Sequence, residues 1–229
     1  MRYLWLFTVI FLTACSITAP EPDTSLDAPA SDELKIEPML HDSEAPEIVE
    51  NTGSLLPIER LLTNGVLDLG DRDAPLTLLV FTEHHCRYCR EFHNELLPRL
   101  KEDYIDTGKL RVQISAFTLK KYSNSIDAAK GALCAAQQNK GMLMQSKLFE
   151  QGNKNNTAII SYAEGLGMNK DIFINCQDNP ETAQTIKLQQ EWAKTLGVEN
   201  VPTFFLNGEK FIGLPYYAEL RGRIDKALN

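Results

Sequence analysis

A continuous apolar run, Leu76-Thr77-Leu78-Leu79-Val80-Phe81-Thr82, is followed three residues later by Cys86-Arg87-Tyr88-Cys89. Apolar residues then recur every fourth position, at Phe92, Leu96 and Leu100. A short run without alternation reads as a strand buried on both faces, and the four-residue spacing reads as a helix. The two cysteines therefore sit where a buried strand turns into a helix. Few folds put a C-x-x-C pair at that junction, and this feature constrains the chain most.

The flanking patterns extend the unit. Leu110, Val112, Ile114 and Ala116 alternate with polar residues and predict a second strand. Pro98 falls inside the helix and predicts a kink. Near the C-terminus, Thr203–Leu206 and Lys210–Ile212 predict short strands joined at Asn207-Gly208, a hairpin turn signal. Leu220, Ile224 and Leu228 predict a final amphipathic helix. Residues 119–198 read as mostly helical. There Ile126, Ala129 and Leu133 share one face at helical spacing, as do Leu188, Trp192 and Leu196. Asn179-Pro180 reads as an N-cap with proline at the first helical position, and Gly197 as a helix stop.

The spacing of Cys86 and Cys89 has a chemical use. Unpaired backbone N–H groups and the dipole at a helix start favour a thiolate at Cys86. Arg87 and Arg90 are expected to add positive charge. A lowered pKa makes Cys86 both an attacking and a leaving sulfur, while Cys89, one turn inward, resolves the mixed disulfide. Metal binding is the competing chemistry, because His84 and His85 precede the motif. A tetrahedral site usually draws ligands from two separated segments, however, so no metal is expected. His85 is expected to tune Cys86 or touch substrate, whereas His84 and His93 read as surface or packing histidines.

The order strand, Cys86-Arg87-Tyr88-Cys89, helix, strand, helical insert, Val201-Pro202-Thr203, hairpin, helix resembles the thioredoxin fold. The placement of the insert resembles its DsbA-like branch, over roughly residues 65–228. The resemblance implies an α/β fold with a central mixed sheet and an inserted helical subdomain. It implies thiol-disulfide exchange with protein substrates, with dithiol oxidation as the expected direction and a reductase or isomerase as the alternative. No dissociable cofactor is implied, since the disulfide is itself the redox centre, and a membrane redox partner would recycle it. The proline matching Pro202 is cis in the family, with Val201 and Thr203 lining the site. Two departures stand out. Many relatives carry a buried acid six residues before the first cysteine, where this chain has Val80. Glu83 substitutes for it only if it points inward. The dipeptide Arg87-Tyr88 also differs from the family's common ones and leaves the direction of electron flow open.

Five cysteines leave three outside the motif. Cys134 and Cys176 both fall in the insert, and relatives with cysteines at similar places often bridge them. Such a bridge closes a loop worth about 4 kcal/mol in the chain-entropy model. A second redox pair is the alternative. The third cysteine ends the segment Met1–Cys15, which has one basic residue, Arg2, and an apolar stretch from Leu4 to Leu12. This is a secretory signal by pattern. Leu12-Thr13-Ala14-Cys15 resembles a bacterial lipobox, which implies signal residues 1–14 and lipid on Cys15. The other reading is an ordinary signal with an incidental cysteine. Ser16 after that cysteine resembles outer-membrane destinations, so the expected place is the envelope, facing the periplasm.

Residues 15–57 hold six of the eleven prolines and no aromatic residue. Low hydrophobicity with high charge predicts a disordered tether with a reach of roughly 35 Å, followed by a folded domain over 58–229. The net charge of −8 sits in this tether: residues 16–50 contain ten acids and one lysine. From residue 51 onward the charges balance at 21 of each sign. A neutral domain without a basic stripe excludes an electrostatic nucleic-acid binder.

Overall fold

The computed structural model describes residues 59–229. The expected signal 1–14, the lipid-bearing Cys15 and the tether 15–57 lie outside the described residues. Among the described residues no helix is long and apolar enough to cross a membrane.

Two short strands open the domain, β1 (Glu59–Leu61) and β2 (Leu67–Leu69). Neither was legible in the sequence, because three residues are too few to show alternation. The apolar run forms β3 (Leu76–Thr82) and the alternating run forms β4 (Leu110–Ala116). After the helical insert come β5 (Thr203–Leu206) and β6 (Glu209–Ile212). The six strands form one mixed sheet in the order β1-β2-β4-β3-β5-β6. Only β3 and β4 are parallel, with Leu78 opposite Val112 and Val80 opposite Ile114; β3 also pairs antiparallel with β5, where Val80 faces Phe204. Asn207 and Gly208 take positive φ, as a two-residue hairpin loop requires.

The centrality of β3 explains its composition. Leu76, Leu78 and Val80 enter one cluster with Phe92, Leu96, Leu100, Phe204, Leu220 and Ile224. Leu79 and Phe81 point to the other face, against Phe117, Ala193 and Val198. Both faces are buried, so no polar alternation is tolerated.

The helix after Cys86 is continuous in direction but not in register. It runs as α1 (Arg87–Glu91), a π-turn (Phe92–Leu96), α2 (Leu97–Leu100) and a second π-turn (Lys101–Ile105). Pro98 has no N–H to donate, and it falls just after the first π-turn, at the start of α2. A change of hydrogen-bond register thus stands where the sequence predicted a kink. The expected face of Phe92, Leu96 and Leu100 is buried throughout.

The insert holds α3 (Ser125–Ala136), α4 (Gly141–Glu150), α5 (Asn156–Gly165), α6 (Lys170–Asp178) and α7 (Pro180–Thr195); α8 (Tyr217–Leu228) closes the chain. Asn179 caps α7 by accepting from the Glu181 N–H at 2.8 Å, with Pro180 first in the helix. Not every residue of the two shared faces is buried. Ile126 is 53% exposed and Leu188 is 52% exposed. The buried face of α3 is built from Ala128, Ala129, Ala132, Leu133 and Ala135, and that of α7 from Thr182, Ile186, Gln189 and Ala193. Small residues win on α3 because α5 packs closely; a Cβ on Gly131 would meet the Ile159 side chain at 2.6 Å.

Cys134 on α3 and Cys176 on α6 form a disulfide with their Cα atoms 5.7 Å apart, across 42 residues of sequence. It crosses the insert's own core of Met144, Leu148, Ile159 and Phe173. Replacing both cysteines by alanine is expected to lower unfolding stability by about 2–5 kcal/mol. Denaturant titration checks this, and peptide-thiol exchange at Cys86 should persist in the folded variant.

Candidate functional site

The strand-to-helix turn builds the site. The Cys86 N–H donates to the Glu83 carbonyl at 3.0 Å, which closes the turn after β3. Cys86 is then the N-cap of α1, in extended conformation, and its sulfur accepts the Cys89 N–H at 3.3 Å. A helix start leaves N–H groups without intrahelical acceptors, and here a sulfur takes one. Cys86 is half-buried and Cys89 is fully buried.

The same contacts set the thiol chemistry. The Cys86 pKa is lowered to about 7; the Cys89 thiol hydrogen bond contributes most, burial opposes it, and the Cys89 and Tyr88 N–H groups add to the lowering. Burial pushes the Cys89 thiol strongly up, and its hydrogen bond to Cys86 pushes the same way. Charge from arginine has no leading part. Arg87 instead turns to Glu91, Nε to Oε1 at 2.8 Å, on the exposed side of α1.

Val201-Pro202 is a cis peptide bond, at the end of the segment leading into β5. The Cys86 sulfur lies 3.5 Å from the Val201 carbonyl oxygen. Thr203 is buried and its hydroxyl donates to the Asn200 carbonyl at 2.6 Å. Cys86, Arg87, Tyr88 and Val201 line one cavity together. Pro202 and Thr203 stand behind that wall.

Glu83 points inward and is 2% exposed. Its carboxylate accepts from the His85 N–H at 2.6 Å and the Ser125 hydroxyl at 3.0 Å, and it lies 2.8 Å from His85 Nδ1. The acid absent at Val80 is therefore replaced in burial but not in position. Val80 packs in the core, while Glu83 is held by the turn and by α3. His85 stacks on Tyr122 with ring centroids 4.7 Å apart.

The other two histidines pack. His84 Nε2 lies 2.7 Å from Gln145 Oε1, and His93 Nε2 lies 2.8 Å from the Ser146 hydroxyl. Both rings contact Phe149. Burial lowers the His84 pKa to about 3 and the His93 pKa to about 4, which keeps both neutral. Histidines 84 and 85 thus diverge. Among the described residues no three His, Cys, Asp or Glu side chains are grouped to hold a metal ion.

The sequence reading missed Tyr122, Ser125, Phe149 and Lys154. All four come from the insert, and no local motif marks them. Only the packing of α3 and α4 against the turn brings them to Cys86.

Three expectations follow. Alkylation of Cys86 by iodoacetamide, followed by mass spectrometry, should rise with pH and reach half its maximum near pH 7, because the thiolate is present only above the lowered pKa. In Cys89→Ala the midpoint should move up, since the largest stabilising hydrogen bond is gone. Glu83→Ala should destabilise the fold by roughly 2–4 kcal/mol, because it leaves buried donors on His85 and Ser125 unpaired. Thermal unfolding of the two proteins measures the difference.

Comparison with known proteins agrees with this geometry. The thioredoxin family model matches residues 63–226. A "probable disulfide bond formation protein D" of Bacillus anthracis is 26% identical over 169 residues, covering 70% of this chain and 77% of that protein. The crystal structure of alpha-DsbA1 from Wolbachia pipientis superposes with a TM-score of 0.64 at 23% identity, over 76% of this chain and 92% of that one. Oxidised BdbD from Bacillus subtilis gives a TM-score of 0.65 at 19% identity, over 75% and 98%. The chain belongs to the thioredoxin family, and its helical insert gives it the DsbA-like form of that fold.

Proposed function

We propose that the protein is a thiol-disulfide oxidoreductase of the cell envelope that oxidises dithiols in protein substrates, tethered through lipid on Cys15. The observation that carries this reading is the Cys86 sulfur, half-exposed, capped by the Cys89 N–H and set beside the Val201 carbonyl. A substrate thiolate attacks Cys86 of the Cys86–Cys89 disulfide. The disulfide breaks, and Cys89 leaves and takes up a proton, since burial disfavours its thiolate. A second substrate thiolate then attacks the substrate sulfur of the mixed disulfide. Cys86 departs as the stabilised thiolate. Two electrons have passed to the protein, with one proton on Cys89 and Cys86 left as the thiolate, and a membrane redox partner removes the electrons. No dissociable cofactor takes part.

The relative named for disulfide bond formation supports the oxidising direction. One observation favours the second reading, a reductase or isomerase. A Cys86 pKa near 7 lies at the thioredoxin end of the family range of about 3.5 to 7. Equilibration of the Cys86–Cys89 pair with glutathione decides between them: a potential near about −120 mV makes it an oxidant and one near about −270 mV a reductant.

Cys89→Ser expressed in cells should accumulate mixed disulfides between Cys86 and envelope proteins, seen on non-reducing gels. A folded, well-expressed variant free of adducts would sink the oxidoreductase reading in either direction.

A further inference from the structure

Two cavities meet at the Cys86 sulfur. One, of about 380 Å³, is walled by Val201 and carries mixed charge from Lys121 and Glu199. The other, of about 320 Å³, lies between the cysteine and the chain that leaves α4, and its charged lining residues are Arg87, Arg90, Glu150 and Lys154. That volume lies at the low end of the roughly 300–1,000 Å³ of small-ligand pockets.

Lys154 is the unusual member. It is 5% exposed, yet the Nζ donates only one hydrogen bond, to the Gln151 carbonyl at 2.5 Å. An ammonium has three donors, so two find no protein acceptor. Among the described residues it has no ion-pair partner. Burial lowers its pKa, and the nearby Glu83 charge opposes that. The acids around the cavity are already engaged. Glu150 bonds Lys147 and Gln151 from the rim, and Glu83 holds His85 and Ser125. Arg87 is bound to Glu91, and Arg90 adds a second cation to the lining. A buried cation without a counter-ion is costly unless an anion reaches it.

We infer that this cavity is a subsite for a carboxylate carried next to the reacting cysteine of the substrate, with Lys154 as the residue that selects it. The inference rests on the proposed exchange at Cys86 and narrows its substrate class. The carboxylate belongs either to an aspartate or glutamate beside a protein cysteine or to a small thiol such as glutathione; the ammonium reads the same group in both.

The test is single-turnover reduction of the full-length oxidised protein by cysteine peptides that differ only beside the cysteine, as Asp, Asn or Lys. Glutathione and its diethyl ester form a second pair. Rates are compared per thiolate, which removes the effect of neighbours on the peptide's own thiol. The Asp peptide should outrun the Asn peptide by roughly three- to tenfold at low salt, and the Lys peptide should be slowest. In Lys154→Gln the Asp-to-Asn ratio should fall to below about twofold, whereas Lys154→Arg should keep it. Lys187→Gln removes the same charge outside the cavity and should leave the ratio intact. A preference confined to peptides assigns the subsite to protein substrates, and one confined to glutathione assigns it to small thiols.

An unaltered ratio in Lys154→Gln overturns the inference. So does equal reactivity of Asp and Asn peptides with the unsubstituted protein, a result that does not depend on any variant folding. Exchange with the Asn peptide but no charge preference defeats the subsite alone. No exchange with any thiol defeats the oxidoreductase reading beneath it.

Discussion

The site depends on β3 being buried on both faces. Because β3 pairs with β4 on one side and β5 on the other, its end is fixed in three dimensions. The turn that leaves it delivers Cys86 to the start of α1, and β5 delivers Val201 to the same place from 115 residues away. Neither contact would survive a shift in strand register, since the pleat would exchange the two apolar clusters. The candidate redox pair is thus held by sheet pairing rather than by local loop structure.

Around that point the protein separates two thiols of identical chemistry. The Cys86 thiolate is stabilised chiefly by the Cys89 thiol, with the Cys89 and Tyr88 N–H groups adding to it. Cys89 is one turn deeper and fully buried, so its own thiolate is disfavoured. One turn of helix makes the difference, through burial and hydrogen bonds. The added arginine charge that the sequence suggested has no leading part, and Arg87 forms an exposed ion pair with Glu91. Glu83 takes a structural part as well, joining the active-site turn to α3 through Ser125 and His85.

Much of this was legible beforehand. The double-buried strand, the cysteine pair at a helix start, the Asn207-Gly208 hairpin and the Asn179 cap each carry a local signal. Errors arose where one residue's surroundings come from elsewhere. Ile126 and Leu188 have apolar side chains at helical spacing, yet both are exposed; on α3 alanines and Gly131 face the core because α5 lies too close for larger side chains, and on α7 the buried face is Thr182, Ile186, Gln189 and Ala193. Pro98 predicts a break, and a π-turn absorbs it. The strands at Glu59–Leu61 and Leu67–Leu69 are too short to show a period.

By itself the sequence pointed to the fold class, through its resemblance to the thioredoxin family, and placed the Cys86–Cys89 pair at a helix start, because strand burial, helix start and C-x-x-C spacing are all local patterns. It left open whether Glu83 faces inward, what His84 and His93 do, and what surrounds Cys86 beyond the motif. Tertiary structure decided those. The insert folds back over the turn, so Ser125 binds Glu83, Tyr122 stacks on His85, Phe149 covers two histidines and Lys154 enters the cavity. The paired contacts among these join residues 37 to 65 positions apart in the chain. No periodicity encodes such distances; only the packing of helices against a fixed sheet sets them.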